Sequence, residues 1–320
     1  MAITRRQSVL AEVEAAYGTD PIPAGTDAML AIDDLTVEVI RESGDLEPID
    51  PFLDPLALVP GAMMMKVNFT TALRGSGAAG TAPEITPLLR GCGFNHVNVP
   101  ATSDTFEPTS DFSVVAATGY QSLTLYIQDG NHQFQIHGAY GTFGLQAAVG
   151  SYCKMAWQFT GLYERPTDFA TFTAPTYDVT RPQPCRGMVI TIMGTAASAT
   201  LRPSSWTMDL NREVVASKSM AATFGYAAFE LGRCVPSGTF RVQELLLATE
   251  DFFANLEDAT LATLSLAFGA TAGNIVTVSF PGSVALSSLA RVDDGGLLSL
   301  DLGYQAARSA GDDAVRLAYT

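Results

Sequence analysis

The chain has 320 residues, 47% of them hydrophobic, which is enough to bury a sizeable core and excludes wholesale disorder. Only 16% are charged, below the roughly 25% of an average soluble domain, and Ser, Thr, Gly and Ala fill the difference. With 33 acids, 18 bases, a net charge of −15 and three lysines (Lys66, Lys154, Lys218), it lacks the basic cluster needed to grip DNA or an anionic membrane surface.

Length alone suggests about two domains. The opening Met1-Ala-Ile-Thr-Arg-Arg runs into Gln, Ser and acids without an apolar stretch, so no signal peptide is expected. No run approaches 18 apolar residues, so no transmembrane helix is expected either. Cys92, Cys153, Cys185 and Cys234 show no CxxC pair and read as free thiols of a chain made in a reducing cytoplasm.

From Glu12 to Asp54 there are twelve acids and one base, Arg41, with prolines at 21, 23, 48, 51, 55 and 60. Val9, Leu10, Val13 and Ala16 fall near one helical face, predicting a short helix over 7–16, while Leu35 to Ile40 alternates as a strand does. Residues 1–60 therefore read as an acidic N-terminal arm with little core of its own. Its deletion is expected to leave folded protomers.

Met63 to Leu73 predicts a long strand with Met64, Lys66, Asn68 and Thr70 on its more polar face. Arg74 to Pro83 is a flexible loop by composition, and Pro83 to Arg90 a short helix ended by Gly91 and Gly93. Segments 122–128 and 133–139 flank Asp129-Gly130, a strong hairpin signal. Phe143 to Ala148 and Tyr152 to Tyr163 add two strands, and the Thr- and Pro-rich segment 167–184 marks a boundary.

Beyond it, Met188 to Met193, Trp206 to Leu210, a run starting at Val214 and Phe240 to Leu247 read as strands. Thr249 to Glu257 predicts a helix capped by Thr249, with acids in its first turn and Phe252, Phe253 and Leu256 inward. Segments 261–268 and 274–280 form one hairpin. Segments 284–292 and 297–304 form another across Asp293-Asp294-Gly-Gly. Both halves thus hold several strands, a short helix and glycine-turned hairpins, which suggests a duplication: 61–175 as a first domain and 176–320 as a second.

No catalytic chemistry emerges. His96, His132 and His137 lack zinc spacing with any cysteine or carboxylate. Arg74-Gly-Ser-Gly-Ala has its glycines at the wrong offsets for a nucleophile elbow, and Gly75 to Gly80 ends in Gly-Thr-Ala-Pro rather than a Walker ending. Asp33-Asp34, Glu250-Asp251, Asp293-Asp294 and Asp312-Asp313 lack the alternation of a calcium loop and read as solvated turns and helix starts. Catalytic, cofactor and metal residues are all expected to be absent.

Three stretches nevertheless form an ordered set. The first is Glu12-Val-Glu14-Ala-Ala-Tyr17-Gly18-Thr19-Asp20-Pro21, followed by Asp27-Ala28-Met29-Leu30. The second runs from Leu73 to Pro83, with Gly75-Ser76-Gly77 and Thr81, and continues in Leu88-Leu89-Arg90-Gly91-Cys92-Gly93-Phe94. The third joins Tyr126 to Gly130 with Ile136-His-Gly138-Ala139-Tyr140-Gly141-Thr142-Phe143. Together they resemble the motifs of tail tube proteins of long-tailed, siphovirus-type bacteriophages, although Tyr140 stands where a basic residue is frequent and the second half carries no matching motif.

That resemblance implies a mainly β chain of two tandem tube-type β-sandwich or barrel domains. Their strands would join an inner β-barrel in a ring, and stacked rings would form a hollow tube in the virion tail that carries genomic DNA without binding it. An acidic lumen would repel phosphates. Two tandem domains favour a trimeric ring with pseudo-sixfold symmetry, with a hexamer as the alternative. Partners implied are the tail terminator, tape-measure and distal tail proteins, with no cofactor and no membrane. Ring-stacking candidates are Glu12, Tyr17, Asp20, Arg74, Ser76 and Thr81; Asp129, Gly130, Asp293 and Asp294 are hairpin turns. A virion decoration or adhesin-like binding protein is the competing reading, and a β-fold hydrolase would need a convergent acid/base set that is not found.

Overall fold

The structure is a computed structural model that describes residues 6–44, 49, 54, 56–111, 120–169, 171–196 and 201–320. Pro48, Pro51 and Pro55, read above as breakers in the acidic arm, lie outside them. Strands make up 53% of the described residues, and the helices are short.

The first half contains β1 (Gln7–Val13), β2 (Ala28–Met29), β3 (Ala31–Gly44), β4 (Val59–Ala72), α1 (Thr86–Gly91), β5 (Phe94–Val99) and β6 (Ser103–Pro108). It continues with β7 (Leu123–Asp129), β8 (His132–Ala148), β9 (Lys154–Tyr163) and the short β10 (Thr167–Asp168). The second half contains β11 (Val189–Ile192), β12 (Thr195–Ala196), β13 (Pro203–Asp209), β14 (Arg212–Lys218), β15 (Tyr226–Cys234) and β16 (Ser237–Gln243). After α2 (Phe252–Glu257) come β17 (Ser265–Phe268), β18 (Val276–Ser279), β19 (Val284–Asp294), β20 (Leu297–Ala306) and β21 (Arg316–Tyr319).

A 12-stranded antiparallel sheet contains one continuous path, β3-β4-β9-β8-β13-β16-β20-β19, and does not close on itself. The first half lays its strands in the order β3-β4-β9-β8 and the second in the order β13-β16-β20-β19. In the first half the paired β3 and β4 are followed by α1, the β5–β6 hairpin of the other sheet and, after β7, by β8 and β9. In the second the paired β13 and β16, with the β14–β15 hairpin between them in sequence, are followed by α2, the β17–β18 hairpin of the other sheet and then β19 and β20. The two sets of four meet where β8 pairs with β13, from Ala148 opposite Ser205 to Gly144 opposite Asp209.

One face of this path is apolar. Phe69, Trp157 and Phe143 lie across from one another on β4, β9 and β8, all 2% exposed or less. Trp206, Phe240 and Leu302 continue the layer through the second half. The buried indole N–H groups are not wasted: Trp157 donates to Thr71 Oγ1 at 2.9 Å and Trp206 to Tyr304 Oη at 2.8 Å. A second, seven-stranded sheet (β12-β11-β17-β18-β21-β6-β5) supplies Leu266, Phe268, Val278, Leu317 and Phe106 to the same core, as α1 does with Leu88 and Leu89.

Several local expectations change. The segment predicted as a helix is β1, paired with β7 along its whole length, and its Val9, Leu10 and Ala11 are buried. The N-terminal segment therefore carries core of its own. Phe143 to Ala148 is not a separate strand but the far end of β8. In α2 the cap is Asp251, whose carboxylate accepts from the Ala254 N–H at 3.0 Å, not Thr249; the acids precede the helix, and Phe253 is exposed. The loop after Arg74 is tied down, because Gly77 N–H donates to the Gly273 carbonyl and Gly75 N–H to Asn274 Oδ1, each at 3.0 Å.

Candidate assembly surfaces

The path of eight strands ends in two edges, β3 and β19; among the described residues neither has a second partner strand, apart from an isolated bridge between Val284 of β19 and Ala262. β3 is 14 residues long and β19 is 11. Long free edges are aggregation templates unless they are covered. Each edge strand stands in its half where a strand of the internal joint stands in the other: β3 matches β13 by order, and β19 matches β8.

The second surface is the face of the same path turned away from the core. By strand alternation it carries Asn68, Thr70, Ala156, Gln158, Thr142, Gly144, Gln146, Ser205, Thr207, Thr239, Gly303 and Ser288, laterally matched across the sheet. Hydroxyl, amide and small side chains dominate it. Among the described side chains its charged residues include Asp33, Glu38, Asp209, Asp294 and Asp301 and, of opposite sign, Lys66, Lys154 and Arg241. The β14–β15 hairpin folds over one end of this face, where Phe229, Tyr226 and Leu231 pack with Tyr17, Tyr140, Met64 and Leu162.

The motif residues of the N-terminal segment build a polar clamp. Glu14 is fully buried and accepts four hydrogen bonds: from Gly18 N–H and Ser122 Oγ on one oxygen (2.7 and 2.5 Å), and from Gly138 N–H and Thr124 Oγ1 on the other (2.7 and 2.8 Å). Tyr17 Oη donates to the Gly138 carbonyl at 3.1 Å and accepts from Phe229 N–H at 2.6 Å. Burial pushes the Tyr17 phenol up to about 12, so it stays a donor at neutral pH. Asp20 accepts from Tyr126 Oη and from the Ile22 N–H. Gly138 has φ +58°, and a Cβ there would fall 2.5 Å from the Tyr17 ring, so the position needs glycine on both counts.

Of the predicted stacking candidates, Glu12 is half-buried on β1, and burial with Asp27 and Asp20 nearby raises its carboxyl. Tyr17 and Asp20 are engaged within the clamp. Arg74 is buried and paired with Glu84, which also accepts from Leu30 N–H at 2.8 Å. Burial outweighs Arg74 and leaves the Glu84 carboxyl above its usual range. Ser76 bonds locally to the Ala78 carbonyl at 2.9 Å, and Thr81 is exposed. Glu12, Tyr17 and Asp20 thus cluster near β7, whereas Arg74 and Ser76 flank the glycines tied to the 273–274 turn and Thr81 follows Gly80, which lies against residues 99–102.

The turn residues are placed at hairpins. Asp129 and Gly130 (φ +61°) join β7 to β8, and Gly296 N–H donates to Asp293 Oδ1 at 2.6 Å between β19 and β20, with Asp294 beside it. The histidines are dispersed: His96 contacts Asp104 at 2.6 Å, His132 contacts Asp168 at 2.9 Å, and His137 lies 3.3 Å from Thr124 Oγ1. The four cysteines are free, and burial raises the thiols of Cys92 and Cys153 well above their usual value. Among the described residues no group of three His, Cys, Asp or Glu side chains is arranged to hold a metal ion, and no helix is long and apolar enough to cross a membrane.

Sequence reasoning missed the free edges, because strand order across a sheet is not written in local periodicity. It also missed Glu14 as a buried residue, since a carboxylate in an acidic stretch reads as solvated. Comparison with known proteins gives one family: the model described as phage tail tube protein matches residues 4–306. No curated protein matches the chain.

Proposed function

The chain belongs to the phage tail tube protein family, structural components of the virion tail, and from that premise we propose that three copies close into a ring through pairing of β19 on one copy with β3 on the next. The observation that carries this reading is the internal β8–β13 joint. It pairs the fourth strand of one set with the first strand of the following set, and β19 and β3 stand in the same relation with no second partner strand among the described residues. The matching orders β3-β4-β9-β8 and β13-β16-β20-β19 support a duplication in which the first tube domain takes in β3 and so begins before residue 61, with 176–320 as the second.

Size favours the trimer over the hexamer. Three copies supply 24 strands on this path. Strands about 4.8 Å apart and tilted by about 40° then give a barrel of roughly 48 Å diameter at the backbone. Six copies would double that to roughly 95 Å, far wider than a DNA duplex requires. The polar face of the path lines the lumen in this arrangement, and the seven-stranded sheet lies outside.

Rings stack into the tube that conducts the genome, and the tail terminator, tape-measure and distal tail proteins meet its ends and lumen. Ring-to-ring contact is assigned to Thr81, Ser76 and Glu12, with Tyr17, Asp20 and Arg74 shaping the surfaces that present them. The role is structural and no reaction is assigned. Negative-stain electron microscopy of the purified protein tests the reading: hollow rings with threefold end-on averages are expected. Sixfold averages with six separate chains would replace the trimer, and solid particles at every concentration would overturn the ring.

A further inference from the structure

Among the described residues, two of the three cations named on the proposed luminal face, Arg241 and Lys154, pair with a carboxylate of that face, and the third, Lys66, stands opposite one in register. Arg241 on β16 meets Asp301 on the adjacent β20 in a two-pronged contact, Nε to Oδ1 at 2.6 Å and Nη2 to Oδ2 at 2.8 Å. The contact holds the Asp301 carboxyl below its usual range, and Asp294 adds a second negative charge near the guanidinium. Lys154 on β9 reaches across the intervening β4 to Asp33 on β3, with Nζ 2.7 Å from Oδ2. Lys66 on β4 stands directly opposite Glu38 on β3.

Apart from Asp209 on β13, the residues around these pairs are uncharged. Thr70, Ala156, Gly144, Gln146, Thr207, Thr239 and Gly303 surround these pairs and offer no charge. This differs from a lumen that repels DNA by acidity alone. Most of the chain's excess acid lies elsewhere, and the face holds both signs.

We infer that Asp33 and Asp301 act as masks, each occupying a luminal cation so that it cannot bind a phosphate of the passing DNA. A guanidinium already forked onto a carboxylate has its best donors committed, and a phosphate must displace that carboxylate to bind. An unmasked cation repeated in every ring would form a regular track of phosphate contacts, and their affinities multiply along a polyanion. The masks keep a lumen that needs cations for strand-to-strand bracing from becoming a trap. The inference rests on the ring reading, and its test separates the two.

Tubes of wild type, Asp301→Asn, Asp33→Asn, the double variant Arg241→Gln/Asp301→Asn, and Asp258→Asn are assembled and checked by electron microscopy. Asp258 follows α2, outside the proposed luminal face, and controls for the one-unit change in net charge. Each tube sample is sedimented with a short fluorescent DNA duplex at 50 and 200 mM salt. At 50 mM, Asp301→Asn and Asp33→Asn are expected to retain at least about tenfold more duplex than wild type, with the excess lost by 200 mM. The double variant and Asp258→Asn should stay at the wild-type level. Retention by Asp301→Asn and Asp33→Asn no greater than that of Asp258→Asn overturns the masking role while leaving the ring intact. Wild-type protein that forms no hollow assemblies overturns the ring reading and the masking role with it. Two masked sites on different strands keep the test decisive if one variant fails to assemble.

Discussion

Tyr17 and Phe229 stand 212 positions apart, yet the Tyr17 hydroxyl accepts the Phe229 backbone N–H at 2.6 Å while donating to the Gly138 carbonyl. One phenol thus ties the N-terminal segment to the hairpin of the first half and to the folded-over hairpin of the second. The tyrosine of the Tyr-Gly-Thr-Asp-Pro stretch is a fastener inside the protomer.

Replacing Tyr17 by Phe keeps the aromatic contact with Tyr140 but strands the Phe229 N–H and weakens the hold on Gly138. The expected cost is about 2 kcal/mol, the penalty of orphaning a buried donor. Urea unfolding of Tyr17→Phe against wild type measures it. Gly138→Ala should cost at least as much, because the new methyl meets the Tyr17 ring at 2.5 Å and the backbone must hold φ +58°. Equal stability of all three proteins would remove the clamp from the account.

The sequence made part of this legible and hid the rest for physical reasons. Asp129-Gly130 located its hairpin because turn chemistry is local, and Met63 to Leu73 read as a strand because only one of its faces is buried along most of its length. β1 was hidden because both of its faces are covered. Val9 and Ala11 enter the main core and Leu10 a second cluster with Ala28 and Tyr126, so alternation disappears and the run mimics a helix. Glu14 left no local signal, since Ser122, Thr124 and Gly138, three of its four partners, lie more than a hundred positions away.

The position of β1 sets a further expectation. Removing residues 1–60 strips β1 from β7 and β3 from β4, exposing Ile127, Leu125, Val67 and Met65 along new edges. The truncated chain should aggregate on expression rather than yield folded protomers that fail to stack. A soluble, cooperatively unfolding truncation, judged by size exclusion and thermal melting, would contradict the burial argument.

Arg74 and Glu84 offer a pH test. Glu84 is raised above its usual value by burial, so its ionised form weighs against the fold above that raised pKa, and the penalty fades as pH falls toward the unfolded value of 4.5. Arg74→Gln removes the cation that offsets this burial. A loss of about 3 kcal/mol is expected at pH 7, as for other partly buried pairs broken on one side. The gap to wild type should shrink by pH 5, where the abandoned carboxyl can take up a proton. Urea melts at both values decide; a gap independent of pH would mean that Arg74 stabilises through packing alone.

The open edge makes the most direct prediction about assembly. In an antiparallel ladder, successive residues of β19 point their N–H groups alternately at β20 and away from it. Of the two variants Ala290→Pro and Arg291→Pro, one therefore removes a donor used inside the protomer and the other removes a donor that only a neighbouring copy can use. The first should lower the melting temperature. The second should leave the monomer's melting temperature nearly unchanged while abolishing hollow assemblies, because the missing N–H and the proline ring both sit at the proposed seam with β3. Thermal melts paired with negative-stain images distinguish the two. Normal tubes from both proline variants would show that β19 is not the closing edge, and the ring would then have to form without continuing the order seen at the β8–β13 joint.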